Sequence, residues 1–247
     1  MRYLVLSDIH ANLAALESVL AAAEARGYDR TLVLGDMVGY GAEPNEVIDR
    51  VIGLKPAAII RGNHDKVAAG VDDPEEFNAV AKSAVTWTIN TLTPAHRTWL
   101  ADLACGPLVV DDLIEICHGT PFDEDAYVFD ELDALRSLES ASRRLCLFGH
   151  THVAVAFTRA GDGLDVMTGG EESAISLVIA PGARYLINPG SVGQPRDGDP
   201  RAGCALVDTE EPRVELWRVP YDVQLAQHRI IDAGLPDVLA KRLSVGR

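Results

Sequence analysis

Three short apolar runs in the first 65 residues each stop at a polar cluster, and a segment of helical period separates each run from the next. Residues 2–6 lead into Asp8-x-His10, residues 31–34 into Gly35-Asp36, and residues 57–60 into Gly62-Asn63-His64-Asp65. Runs this short and apolar read as buried strands. Between the first two, Leu13, Leu16, Val19, Leu20 and Ala23 recur at spacings of three and four until Gly27. Between the second and third, Val47, Ile48, Val51 and Ile52 do the same after Pro44. A glycine stop and a proline start mark both as helices. Strand, helix, strand, helix, strand makes a parallel sheet with right-handed crossovers. Sites in such sheets lie beyond the carboxyl ends of the strands. Three clusters far apart in sequence should therefore converge in space.

The later chain adds two clusters of the same kind, His118-Gly119 and Gly149-His150-x-His152. The first ends a hairpin expected over residues 107–117 around Asp111-Asp112, and the second follows a strand over residues 144–148. Helices are expected within residues 75–103, with a second start at Pro94, and over residues 131–140. Residues 153–158 continue extended. Residues 160–182 are Gly-rich and read as a loop or a hairpin with an irregular tip. A strand over residues 185–187 runs into Asn188-Pro189-Gly190-Ser191, a turn near the site. A closing hairpin (202–208 and 213–219) and two short helices (223–231 and 236–243) finish the chain. Asp111-Asp112 and Glu171-Glu172 read as solvated turns. With no repeat and no linker, residues 1–247 are expected to form one domain.

A formal net charge of −15 argues against a nucleic-acid backbone as partner, since that needs clustered Lys and Arg. It is compatible with a small phosphorylated substrate, because bound cations reverse the field locally. No stretch has the ~18 uninterrupted apolar residues of a membrane helix. The first residues enter a strand directly, without a basic leader. Cys105, Cys117, Cys146 and Cys204 form no C-x-x-C and read as buried free thiols. A cytoplasmic protein with no membrane partner is the expectation.

Five of the seven histidines fall in the strand-end clusters, leaving His96 and His228 as surface residues. Asp8, His10, Asp36, Asn63, His118, His150 and His152 are too many ligands for one tetrahedral zinc, and they include no thiolate. They suit two divalent ions, with Asp36 between them. Mn²⁺ is the expected ion, with Fe, Zn, Co, Ni or Mg as alternatives. Paired sites of this type clamp the attacking and leaving oxygens of a phosphoryl group.

The order D-x-H, G-D, G-N-H-D, H, G-H-x-H resembles the calcineurin-like metallophosphoesterase superfamily, and the motifs cover residues 8–152. Gly39-Tyr40-Gly41 and the segment 188–198 resemble its small bacterial and archaeal phosphodiesterase and dinucleoside-tetraphosphatase branch. The resemblance implies a four-layer α/β/β/α sandwich with two facing mixed sheets. It implies one metal on Asp8, His10, Asp36 and His152, and a second on Asp36, Asn63, His118 and His150. His64 would be the general acid, with Asp65 orienting its ring, and a metal-bridging hydroxide would attack phosphorus in line. Ala11 stands where many relatives have Gly, and a methyl there should be tolerated. The implied activity is hydrolysis of a nucleotide-type or other small phosphodiester. Symmetric cleavage of a dinucleoside polyphosphate and phosphomonoester hydrolysis are the alternatives, and a non-catalytic scaffold is the alternative of another class. A homodimer is the assembly that relatives imply.

Four residues are candidates for substrate contact. Asn12 reads as a phosphate contact or a helix cap, and Arg61 as a phosphate clamp or a structural ion pair. Tyr40, with Phe122 and Tyr127 beside it, could stack on a base or simply pack. Arg196, with Ser191 and Gln194, could face substrate or an interface.

Overall fold

β1 (Arg2–Leu6) sends alternate side chains to opposite faces. Leu4 and Leu6 pack with Leu16 and Val19 of α1 (Leu13–Arg26), whereas Tyr3 and Val5 pack with Ile116, Leu147 and Ile187. One face of this strand therefore meets a helical layer and the other meets a second sheet. The computed structural model describes residues 1–169 and 174–247. β2 (Arg30–Val33), α2 (Pro44–Leu54) and β3 (Ala58–Ile59) follow, and β1, β2 and β3 pair in parallel as the periodicity implies.

The chain continues through α3 (Asn63–Ala69), α4 (Ala79–Thr91), α5 (Pro94–Ala101), β4 (Leu108–Val109), β5 (Ile114–Ile116) and α6 (Glu131–Ser140). Then come β6 (Leu145–Leu147), β7 (Val155–Ala160), β8 (Gly163–Thr168), β9 (Ala174–Val178), β10 (Arg184–Asn188), β11 (Ala202–Asp208), β12 (Arg213–Val219), α7 (Val223–Asp232) and α8 (Asp237–Leu243). Among the described residues two six-stranded sheets result, in the orders β3-β2-β1-β11-β12-β9 and β4-β5-β6-β10-β7-β8. Both are mixed: β1 is antiparallel to β11, while β5 and β6 are parallel. Ala134 and Leu138 of α6 cover the outer face of the second sheet through Cys146, Phe148 and Leu186. The four layers are thus α/β/β/α, as expected. No helix among the described residues is long and apolar enough to cross a membrane.

The strand-end cluster after β3 opens a helix over residues 63–69, because Gly62 caps it and the Asp65 carboxylate at its third position accepts the Gly62 N–H at 3.0 Å. Two expectations are corrected. Residues 160–182 are not one loop or hairpin. β7 and β8 pair within the second sheet, while β9 pairs with β12 at the edge of the first, where Leu177 reaches the inter-sheet core. The Glu171-Glu172 turn lies outside the described residues. Of the cysteines, all free, Cys105 is exposed in the irregular segment between α5 and β4 rather than buried.

Candidate metal centre

The loops that follow β1, β2 and β6 are bent sharply. Asp8, His10, Ala11, Asp36, Tyr40, His150 and His152 all have positive φ, between 48° and 66°. Left-handed backbone at non-glycine residues costs on the order of 1 kcal/mol or more each, and such strain concentrates where function requires it. Ala11 is among them at 51°, so the methyl is accommodated under strain, where glycine would be unstrained.

The bends converge two groups of potential ligands. Asp8, His10, Asp36 and His152 form one, and Asp36, His118 and His150 the other, all buried, with their ligand atoms within 4.8 Å of one another. Asp36 Oδ2 lies 3.5 Å from His10 Nε2 and 3.4 Å from His118 Nε2. Asn63 Oδ1 lies 3.3 Å from His118 Nε2, which brings it to the second group. Every sequence-predicted ligand is therefore at this place.

The ring orientations fit a cation. The Nδ1 atoms of His10, His118 and His152 each meet a backbone carbonyl, of Val38, Leu34 and Gln194, at 2.9, 2.7 and 2.7 Å. A carbonyl accepts only, so each Nδ1 carries a proton and each Nε2 is the atom turned to the cluster, free as a lone pair on neutral His10 and His152 and, at His118, able to become one once a cation replaces its proton. The Nε2 atoms of His10 and His152 face each other at 3.1 Å. Two lone pairs so placed repel unless a cation or a proton lies between them. His150 is turned the other way, with Nε2 at 3.0 Å from the Asp125 carbonyl, which leaves its Nδ1 for the cluster. Asp8 is fixed by the Ser7 hydroxyl at 2.6 Å and the His150 N–H at 3.2 Å.

His64 stands in the first turn of α3, and its N–H donates to Asp36 Oδ1 at 2.9 Å. Its ring is not held by Asp65, contrary to expectation. The Asp65 carboxylate is taken up by the N–H groups of Gly62, Met37 and Val38 at 3.0, 2.9 and 3.2 Å. Adjacent residues of a helix point apart, so Asp65 fixes the loop after β2 and not the ring. Tyr40 and Phe77 hold the ring instead, at centroid distances of 4.4 and 4.5 Å, and its Nδ1 is buried without a hydrogen-bond partner. Gly62 is required here: a Cβ would lie 2.1 Å from Asp36 Oδ1 and 2.5 Å from the Asp36 backbone nitrogen. Gly62→Ala is therefore expected to lower stability by about 1–3 kcal/mol through overpacking and to weaken metal retention. Urea denaturation and metal analysis check this, and unchanged values for both would contradict it.

Burial opposes charge on every one of these groups, and neighbours decide the outcome. Burial pushes His64 down to about 4 and His150 down to about 3, and it lowers His10 and His152 as well. At His118 the Asp36 carboxylate outweighs burial and raises the ring to about 10. Asp36 and Asp8 are held below the usual carboxylate range because His118 and His152, respectively, outweigh their burial. Burial, then the Asp36 charge, raises Asp65 to about 7.

The sign of the pH dependence follows. Below their ordinary value of 6.5, His10, His64, His150 and His152 take up protons in the unfolded chain before they do so in the folded one, so stability falls with acid. Asp65 acts oppositely between about 7 and 3.8, and offsets one of these four. His118 adds stability below 6.5 that is lost as pH rises toward about 10. Chelator-treated protein is expected to be most stable near neutrality. From there to about pH 4.5 it should lose about 1.4 kcal/mol per pH unit for each net proton. Urea midpoints across that range check it; a flat profile would contradict it.

The substrate candidates separate. Asn12 caps α1, accepting from the Ala15 N–H at 3.1 Å and donating to the Gly193 carbonyl at 2.9 Å. Arg61 offers Nη2 and Nε to the Glu124 carboxylate at 2.9 and 3.2 Å, so a carboxylate occupies the fork expected on phosphate. Tyr40 packs between His10 and His64. Arg196 donates to the Tyr40 hydroxyl at 3.4 Å and to Gln194 Oε1 at 3.2 Å, both neutral partners. Asn188 and Ser191 build the expected turn: Ser191 Oγ donates to the Asp8 carbonyl at 2.7 Å and accepts the Gln194 N–H at 2.7 Å. Phe77 and Ser7 were not legible as site residues, and Gln194, expected to face substrate or an interface, instead serves through its backbone carbonyl on His152.

Comparison with known proteins bears on this geometry. The sequence model of the calcineurin-like phosphoesterase superfamily domain matches residues 1–212. An uncharacterized protein of Methanocaldococcus jannaschii is 32% identical, over 98% of this chain and 97% of that one. The crystal structure of a metallophosphoesterase from Sphaerobacter thermophilus superposes with a TM-score of 0.87 at 36% identity, covering all of both chains. A hypothetical protein of Pyrococcus horikoshii OT3 shares the fold, with a TM-score of 0.80 at 24% identity over 100% of this chain and 98% of that one.

Proposed function

Because the chain belongs to the calcineurin-like phosphoesterase superfamily, we propose that this phosphoester hydrolase acts on small phosphodiesters with two divalent cations, Mn²⁺ first among them. The observation that carries the reading is the position of Asp36 Oδ2, 3.5 Å from His10 Nε2 in one group and 3.4 Å from His118 Nε2 in the other. Asp8, His10, Asp36 and His152 would hold one cation, and Asp36, Asn63, His118 and His150 the other. Bound there, the cations would supply Lewis acidity toward the phosphoryl oxygens and lower the pKa of water near neutral pH. His64 would act at the leaving oxygen as proton donor, positioned by its helix and by Tyr40 and Phe77. The ring is neutral in the protein alone, and an anionic ester beside it would favour its protonated form.

Charge favours a diester over a monoester or a polyphosphate. Near the cluster, Arg61 is paired with Glu124, and Lys66 with Asp72, Glu124 and Asp125. Arg196, with neutral partners, is a cation available to meet a phosphate oxygen. One such group suits one negative charge better than several. The test is hydrolysis of bis-p-nitrophenyl phosphate and p-nitrophenyl phosphate by metal-stripped protein with Mn²⁺ restored. Mn²⁺-dependent diester turnover is expected to exceed monoester turnover. Monoester turnover alone would overturn the diester reading.

A further inference from the structure

A cavity of about 910 Å³ opens beside the metal centre and is used by neither ligand group. Val153, Val155, Phe157 and Val166 form its wall, and the carboxylates of Asp130 and Glu131 stand at its mouth. On its rim, Phe129 is 81% exposed and Leu132 75%, a large apolar area for a surface to leave in water. The cavity adjoins the centre at two places. The ring of Tyr127, which lines it, lies 3.8 Å from that of His150. Arg196, which also lines it, donates its backbone N–H to the His152 carbonyl at 3.1 Å. The approach past Asn63 and His150 is more charged: a cavity of about 430 Å³ there is lined by Asp72, Asp73, Glu75, Glu76 and Asp125, with Lys66 paired to Asp72 and Asp125, so its lining is net acidic.

We propose that the apolar cavity seats a bulky apolar ester group of the substrate. The preferred substrate is then a singly charged phosphodiester of an apolar alcohol, and not a polyphosphate. The inference rests on the phosphodiesterase reading above and narrows its substrate class. Phosphate bound at the centre has Arg196 on the side facing the cavity, so an ester arm extending that way leaves water for Val153, Phe157 and the rim. On the other side, the net acidic lining disfavours a second or third phosphate.

The probe pair is dimethyl phosphate and dibutyl phosphate, titrated calorimetrically into the Mn²⁺-loaded full-length chain. Burying one methylene is worth roughly a fourfold gain in affinity, so one butyl arm partly buried should give dibutyl phosphate at least a tenfold advantage. In Phe129→Asp and Leu132→Asp, both rim substitutions at exposed positions, that advantage is expected to fall below about threefold. Equal affinity for the two esters, no binding of dibutyl phosphate, or an advantage that survives both substitutions would overturn the proposal. So would a concentration-dependent dimer of the wild type that both substitutions dissociate, because a second copy would then cover the rim. Diester turnover of bis-p-nitrophenyl phosphate is scored separately. Turnover with equal ester affinities removes this inference alone, whereas its loss in favour of monoester turnover removes the phosphodiesterase reading.

Discussion

Asp36→Asn is expected to release both cations and to lower kcat on a phosphodiester by about 10³-fold or more. The substitution keeps the shape of the side chain. Its carbonyl oxygen can still accept the His64 N–H, now at 2.9 Å, so the start of α3 stays in place. The amide nitrogen, however, replaces the Oδ2 atom that faces both ligand groups. An amide NH₂ has no lone pair to offer a cation. Losing several kcal/mol of charge stabilisation on the phosphoryl group corresponds to a factor of roughly 10³ or more in rate. Metal analysis of the gel-filtered variant, beside its kcat, provides the check. Two ions per chain retained in Asp36→Asn would contradict the shared position.

His64→Ala separates chemistry from metal binding. Its ring lies among Tyr40, Phe77 and His10, and no hydrogen bond fixes its Nδ1. If it protonates the leaving oxygen, kcat on a dialkyl phosphate should fall about 10²- to 10⁴-fold. Bis-p-nitrophenyl phosphate expels a stable anion and should be affected far less, by about tenfold at most. Metal content should stay at two per chain, and His64→Gln, which fills the space, should behave like the alanine variant. An equal loss on both substrates, or a loss of metal, would make His64 structural instead of catalytic.

The candidate ligand set was legible because its signals are local. Each cluster follows a short apolar run, and strand ends in a parallel sheet point to one edge, so Asp8, Asp36 and Asn63 could be brought together on paper. What escaped depends on partners distant in sequence. β9 exists as a strand because β12 lies beside it. Arg61 is bound to Glu124, which nothing in its own neighbourhood announces. α3 was hidden by its own chemistry: its first turn consists of Asn63, His64 and Asp65, and its cap is glycine and not a side chain that signals a helix start. Asp65 is adjacent to His64 in sequence yet serves Met37 and Val38 across the loop. The apolar cavity draws on residues from near position 127 to near 168 and on Arg196, so no single stretch reveals it.

The central claim is that two cations share one carboxylate and that turnover requires both. It is tested most directly by adding Mn²⁺ stepwise to stripped protein and measuring bound metal and bis-p-nitrophenyl phosphate turnover on the same samples. Binding is expected to saturate at two ions per chain, with turnover appearing as the second is taken up. Saturation at one ion, or full turnover in the stripped protein, would contradict it.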